Sequence, residues 1–363
     1  MKVKLILFSL LALLTATTAW ADVEINATNF PDKNFRNLVL EQDYGADGVL
    51  TAEEIAGVKS IDVRSKSIQS LKGIEYFTAL TKLFCGGNLL TSLDVSQNAA
   101  LTELSCSSNQ LTSLDVSQNV ALIRLYCSEN QLTALDVSQN TALTLLFCSN
   151  NQLTVLDVSQ NTALIYLFCG DNQLTALNVS QNTALKYLYC FNNKLTSLDV
   201  LQNTMLTWLW CYGNQLTVLD VSQNTALTYL QCSNNQLTSL DVSQNTALTE
   251  LNCGGNRLTV LDVSQNTTLT YLHCSVNQLT SLDVSQNTVL EELHCHQNQI
   301  KGKSMYKLVK SLPKASENQL KVISIIGEKN KMDRKQAAAA KAKGWIPEYY
   351  DGEEWREYTG KKE

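Results

Sequence analysis

Apolar positions in this chain return on one fixed beat. From Leu80 to Ile300 the same order of leucine, leucine, cysteine, leucine, leucine and valine recurs every 21 residues, with polar residues in between. One unit reads LTELSCSSNQLTSLDVSQNVA (101–121) and the next LIRLYCSENQLTALDVSQNTA (122–142). Within a unit, Leu104 and Cys106 alternate with Glu103, Ser105 and Ser107. That period of two predicts a short strand with leucine and cysteine turned inward and the other three turned outward. A single unit cannot bury its own leucines. Stacked units can, so the repeat predicts a solenoid with one continuous core. Eleven units start at Leu80, the last cut short near Ile300, and a looser 22-residue unit, VKSIDVRSKSIQSLKGIEYFTA (58–79), comes before them. About twelve parallel strands at about 4.8 Å would make a sheet roughly 55 Å long.

The skeleton LxxLxCxxNxL is that of a leucine-rich repeat, with cysteine in a slot usually held by leucine. The expected fold is an α/β repeat solenoid whose curved parallel sheet lines the concave face. The ends read differently. FPDKNFRNLVLEQ (30–42) and TAEEIAGV (51–58) predict two helices in an N-terminal cap over 22–57. After Ile300, KSMYKLVKSL (303–312) predicts an amphipathic helix, LKVISIIG (320–327) a buried strand, and DRKQAAAAKAKG (333–344) a helix ending at Gly344. With the aromatic tail GWIPEYYDGEEWREYTG (344–360), these suggest an α/β cap over 301–363 that covers the last leucines. At the start, Lys2 and Lys4, the apolar run Leu5 to Leu14 and Ala19-Trp20-Ala21 predict a secretory signal peptide over 1–21. The run is too short to span a bilayer, and no later span follows. The first cysteine is Cys85, so no lipoprotein is expected, and no LPxTG-type anchor is found.

The cysteine-bearing unit LxCxxNxLTxLDVSxNT resembles the cysteine-ladder repeats of the internalins and other secreted bacterial leucine-rich-repeat proteins over residues 58–300. The resemblance implies a secreted or surface protein that binds host or neighbouring-cell molecules, without naming the ligand. An adhesin held by a wall anchor would depart from the sequence seen here.

Eleven cysteines, an odd number, all fall in the repeat. Stacked strands bring their Cα atoms within disulfide range but leave the Cβ vectors parallel, so the expectation is reduced thiols that pack as small apolar groups. His273-Cys274 and His294-Cys295 point to opposite faces and make no catalytic pair. His273, His294 and His296 share the outward face with Glu292, a set that suits zinc or copper. Glu250 and Glu292 lie two strands apart, about 9.6 Å, near the upper end for an inverting glycosidase. Metal binding or hydrolysis at these residues is the alternative to a binding protein that is no enzyme. Nine aspartates and Asn178 open the DVSQN turns, where turn capping is expected over a cation ladder.

Before the repeats, Asp43 to Glu54 matches an EF-hand loop at Asp43, Asp47, Gly48 and Glu54, with Val49 at the main-chain ligand position. Gly45 stands where Asp or Asn is needed, so at most weak calcium binding is expected and no cofactor is required.

The chain carries 28 Lys and Arg against 34 Asp and Glu, a formal charge of −6. That argues against nucleic acid as a partner. Charge is unevenly spread: residues 80–300 hold 5 basic and 15 acidic residues, and residues from Lys301 on hold 15 and 9. The basic end reads as a solvated face.

Thirteen aromatic residues lie between Leu80 and Ile300, all at the third, fifth or seventh position of a unit, the outward columns. They thicken at Tyr166, Phe168, Tyr187, Tyr189 and Phe191, then Trp208, Trp210, Tyr212 and Tyr229. Flanking strands carry Ser105, Gln231 and Asn252 instead, so strand preference alone does not explain the cluster. An exposed apolar patch marks an interaction site. A protein or peptide ligand fits it, and a glycan would also fit through sugar rings stacked on flat aromatic faces.

Overall fold

The computed structural model describes residues 22–315, 321–326, 330–350 and 353–359; the signal peptide expected at 1–21 lies outside the described residues. Twelve three-residue strands, Ser60–Asp62 through Glu292–His294, pair in parallel and in register. In the eleven strands from Lys82–Phe84 on, the middle leucine is fully buried, and so is the cysteine that follows; Ile61 and Val63 take these places in the first strand. The fold is the expected leucine-rich-repeat solenoid.

Hydrogen bonds run from coil to coil. The Cys106 N–H donates to Tyr126 O at 2.8 Å, and its counterparts repeat the contact along the stack. The repeat asparagines close the loops after the strands. Asn109 Nδ2 donates to Cys85 O at 3.1 Å and Cys106 O at 3.0 Å, and its Oδ1 accepts from Leu90 N at 3.0 Å. One amide thus serves buried backbone of two adjacent coils, which must be paired. A second asparagine column, in the DVSQN turns, was not singled out in the sequence. Asn119 Nδ2 donates to Val95 O at 3.0 Å and Asn98 O at 2.9 Å, while its buried Oδ1 has no partner among the described residues. The aspartates cap turns as expected: Asp115 Oδ1 accepts from Ser117 N at 2.9 Å, and that bond holds the carboxyl below its ordinary pKa.

At the N-terminal end, α1 (Lys33–Leu40) and α2 (Ala52–Gly57) are each shorter than the helices expected from sequence. Asp32 makes the first helix begin later than expected, as its N-cap. One of its carboxylate oxygens caps α1 through Asn34 and Phe35 N–H, and the other accepts from Gln69 and Ser70 N–H in the first repeat. Asn34 adds to this tie, its Nδ2 donating to Lys66 O and Ser67 O at 3.2 Å each. Phe30 sits before α1 and packs on Phe35 and Phe77, with ring centroids 5.7 and 6.5 Å apart. It lies against Gly73, where a Cβ would fall 2.3 Å from the ring and where φ is +107°. Only glycine lets the cap seat there.

At the other end the sheet does not stop. Lys321–Ile326 pairs in parallel with Glu292–His294, Trp345–Tyr350 pairs in parallel with it, and Trp355–Glu357 closes the edge antiparallel, giving 15 strands. The aromatic tail, read from sequence only by composition, supplies these last two strands. Asn330 copies the repeat asparagine: its Nδ2 donates to Cys295 O and Ile325 O, both at 2.8 Å, and its Oδ1 accepts from Ile300 N at 2.9 Å. Helix α3 (Gly302–Ser311) packs on α4 (Arg334–Lys341), and α4 on the strand that begins with the fully buried Trp345, whose Nε1 donates to Pro313 O at 2.7 Å.

All eleven thiols are free and buried. Burial pushes the Cys190 thiol up to about 12, so it stays protonated at neutral pH and reacts slowly. Cys190→Ser, which sets a hydroxyl among leucines, is expected to cost about 1–3 kcal/mol in denaturant unfolding. Thiol reagents should label the native protein only after denaturant is added; rapid native labelling or intact disulfides by mass spectrometry would contradict this.

Candidate ligand-binding face

Because the middle residue of each strand is in the core, the first and third residues look outward, and the residue after the cysteine joins them. In-register pairing then sets equivalent side chains one above another. Along the third residues of the strands, Phe147 stacks on Phe168 (centroids 4.1 Å, planes 12° apart), Phe168 on Tyr189 (4.1 Å, 5°) and Tyr189 on Trp210 (4.4 Å, 5°). Tyr126 ends this column by meeting Phe147 edge-on at 80°. Along the first residues, Tyr166 stacks on Tyr187 at 4.7 Å, and Trp208 follows, tilted against Tyr187 at 6.0 Å and Tyr229 at 4.2 Å. Beyond the cysteines, Phe191 stacks on Tyr212 at 4.8 Å. The columns touch one another, Trp208 to Trp210 at 6.2 Å and Phe191 to Trp210 at 6.4 Å. The structure therefore brings together all nine aromatics singled out from the sequence.

Their exposure differs from the expectation. All nine are half-buried, because the spacing of parallel strands is close to the stacking distance of aromatic rings and each ring covers its neighbour's face. What the columns offer to solvent is ring edges and phenol hydroxyls, not open flat faces. Burial and the neighbouring Tyr187 push the Tyr189 hydroxyl up to about 12. Trp210 Nε1 is buried with no acceptor among the described residues. Sequence reasoning also missed Gly170, where a Cβ would lie 2.7 Å from the Phe191 ring. A bare glycine one strand away makes room for that ring, a signal visible only once the register is known.

Toward the C-terminal end the first-residue column changes chemistry. Tyr229 is followed in register by Glu250, Tyr271 and Glu292. Burial, and then Glu292, hold the Glu250 carboxyl above its ordinary pKa. The three histidines do gather: His273 lies 5.3 Å from His294 and 6.1 Å from His296 by ring centroid. Three of their six ring nitrogens have hydrogen-bond partners. His294 Nδ1 meets Ser324 Oγ at 2.9 Å and its Nε2 meets Glu292 at 3.4 Å, while His296 Nδ1 meets Ser275 Oγ at 2.8 Å. His296 also packs edge-on against Trp355 at 5.0 Å. Among the described residues, no three His, Cys, Asp or Glu side chains converge so as to hold a metal ion, so the zinc or copper reading finds no support.

A 70-residue stretch is 45% identical to internalin J of Listeria monocytogenes; it covers 19% of this chain and 8% of that protein's length. Among solved structures, a functional domain of Listeria monocytogenes internalin J that includes a cysteine ladder is 36% identical, covering 85% of this chain and 83% of that one, with a TM-score of 0.54. The chain belongs to the internalin-like leucine-rich-repeat proteins. A Listeria monocytogenes internalin at 23% identity (93% and 100% covered, TM-score 0.77) shares the fold. A leucine-rich-repeat protein of Leptospira interrogans is 26% identical over 81% and 84% of the two chains, with a TM-score of 0.63. No protein-family model matches.

In this internalin-like chain the EF-hand-like loop is held by its own bonds. Asp43–Gly45 forms a single 3₁₀ turn, Asp47 Oδ1 accepts from Val49 N at 3.0 Å, and Val49–Leu50 pairs with Val23–Glu24. Glu54, the expected bidentate ligand, accepts from Thr51 N and Thr51 Oγ1, both at 2.8 Å, in a capping box that starts α2. Gly45 is buried where a third oxygen would be needed. Among the described residues, Asp43, Asp47 and Glu54 form no group that could hold a metal ion in this arrangement, and the helix start takes one of the two Glu54 oxygens. No helix of the described residues is long and apolar enough to cross a membrane.

Burial and neighbouring imidazoles press His273 and His296 down to about 4, well under the ordinary 6.5. The unfolded chain then binds more protons between those values, so their contribution is complete above pH 6.5 and is lost as pH falls toward about 4. Glu250, raised from 4.5, works in the opposite sense at the lower end of this window. A His273→Gln/His296→Gln variant keeps Glu250 and should lose less melting temperature than wild type on going from pH 7 to roughly pH 4.5. Equal losses would refute the assignment.

Proposed function

We propose that the mature chain is an exported, adhesin-like binding protein that recognises a protein or peptide through the aromatic columns centred on Trp208 and Trp210. The single observation that carries this reading is the mutual ring packing, part stacked and part tilted, of Tyr187, Tyr189, Trp208, Trp210 and Tyr229 on adjacent strands. Stacking holds each ring in one orientation before any ligand arrives. Pre-ordered aromatics give contact area at low entropic cost, which is why they dominate interface hot spots. The neighbouring repeats keep the same core and the same turns but present serine, glutamine or asparagine on this face.

A peptide suits these columns better than a glycan. Sugar rings need open aromatic faces, and here the faces cover one another. Edges, hydroxyls and the grooves between columns suit side chains and backbone. Recognition, not catalysis, is what such a surface performs. Export rests on the apolar run and Ala19-Trp20-Ala21 at the start of the chain.

Trp208→Ala with Trp210→Ala should weaken binding of the ligand by roughly 2–4 kcal/mol in calorimetric titration. Losing the ring contacts with Tyr189 and Tyr229 should also cost the fold about 1–2 kcal/mol, well short of a core deletion. Wild-type affinity in the double variant would defeat the proposal, and so would a loss of stability as large as that of a buried leucine.

A further inference from the structure

The outward face carries an internal control for its own charges. Near its N-terminal end Glu103 and Arg124 occupy equivalent positions on adjacent strands and pair at 3.2 Å. Glu250 occupies the same column seven strands further on, but its in-register neighbours are Tyr229 and Tyr271. It forms no ion pair among the described residues, it is half-buried, and the other carboxylate of the column, Glu292, acts on it from two strands away. Glu292 itself meets His294. From Leu145 to His296 the three outward columns contain no lysine or arginine at all. Among the described residues, no lysine or arginine of these columns lies beside this carboxylate, set between two tyrosines, to supply a cation.

We propose that Glu250, with Tyr229 and Tyr271 on either side and Glu292 beyond, is a subsite for an arginine or lysine side chain of the peptide or protein that docks on the aromatic columns. This rests on the binding reading above and adds the partner's chemistry to it. The carboxylate accepts hydrogen bonds from the cation, and the tyrosine rings flank its charge and its aliphatic stem. Arginine matches best, because its planar guanidinium can bond a carboxylate in a fork and lie along a ring. Spacing follows as well. Trp208 is two strands from Glu250, about 9.6 Å at the usual strand separation. An extended peptide covers about 3.3 Å per residue, so the basic residue should stand about two to four positions from an aromatic or aliphatic anchor.

The test pans a displayed library of random twelve-residue peptides against the mature protein, and measures selected peptides by fluorescence against wild type, Glu250→Gln, and Trp208→Ala/Trp210→Ala. Selected sequences should be enriched in arginine or lysine at that spacing from an apolar anchor. Their affinity should fall about tenfold in Glu250→Gln and by a similar factor when the arginine is replaced by citrulline. Glutamine keeps the shape of the side chain, and an unchanged melting temperature would verify that the variant folds. Peptides that need the tryptophans but bind Glu250→Gln as wild type, or that show no basic enrichment, would overturn this inference and leave the binding face standing. Peptides indifferent to the tryptophan substitutions would overturn both. A selection that yields no binder counts against the subsite.

Discussion

Everything in this molecule depends on the parallel, in-register hydrogen bonding of one 21-residue coil to the next. A coil alone leaves its leucines wet and its backbone unpaired. Stacked, each coil donates to and accepts from its neighbours, and the inner asparagine ties its own coil to the preceding one through a single amide. Replacing that asparagine would leave buried carbonyl and amide groups without partners, a penalty of about 1–3 kcal/mol each. This explains why the loop asparagine repeats as faithfully as the leucines. The cysteine shares the reason: next to the tightly bonded coil there is room for a small apolar side chain, and burial keeps its thiol protonated.

The same register makes the outward face what it is. Parallel strands repeat at close to the distance at which aromatic rings stack, so a column of aromatics packs against itself without help from a second layer. Packing and presentation are therefore not alternatives here. The rings are ordered because they stack, and order makes them useful for recognition. The chemistry along a column is set by one residue per coil, which lets the face pass from paired charges at Glu103 and Arg124, through rings, to a carboxylate between two tyrosines at Glu250 within one uninterrupted fold.

Both ends show how a stack with no natural limit is stopped. The N-terminal cap uses one carboxylate, Asp32, to start a helix and to hold the first repeat, and it seats Phe30 over a glycine. The C-terminal cap imitates the repeat before ending it: Asn330 reproduces the ladder asparagine, and two further parallel strands precede one antiparallel strand at the edge. An edge strand that runs the other way breaks the register another coil would need.

By itself the sequence determined the architecture, because a strict spacing of leucine, cysteine and asparagine admits one way of burying all three. It also determined which side chains look outward, since strand alternation needs only the register of Leu104 and Cys106. Tertiary structure decided what those side chains meet. Ring faces at Tyr189 and Trp210 are covered by neighbours one coil away, a contact 21 residues distant in the chain. The histidines fell to the same cause: Ser324, from a strand outside the repeat, takes a nitrogen that the spacing alone left available. Glu54 shows the opposite limit, since one of its oxygens closes a capping box with Thr51 only three residues away. Motifs written in nearest neighbours were legible. Those that depend on which groups compete for one oxygen or one ring face were settled only when the coils came together.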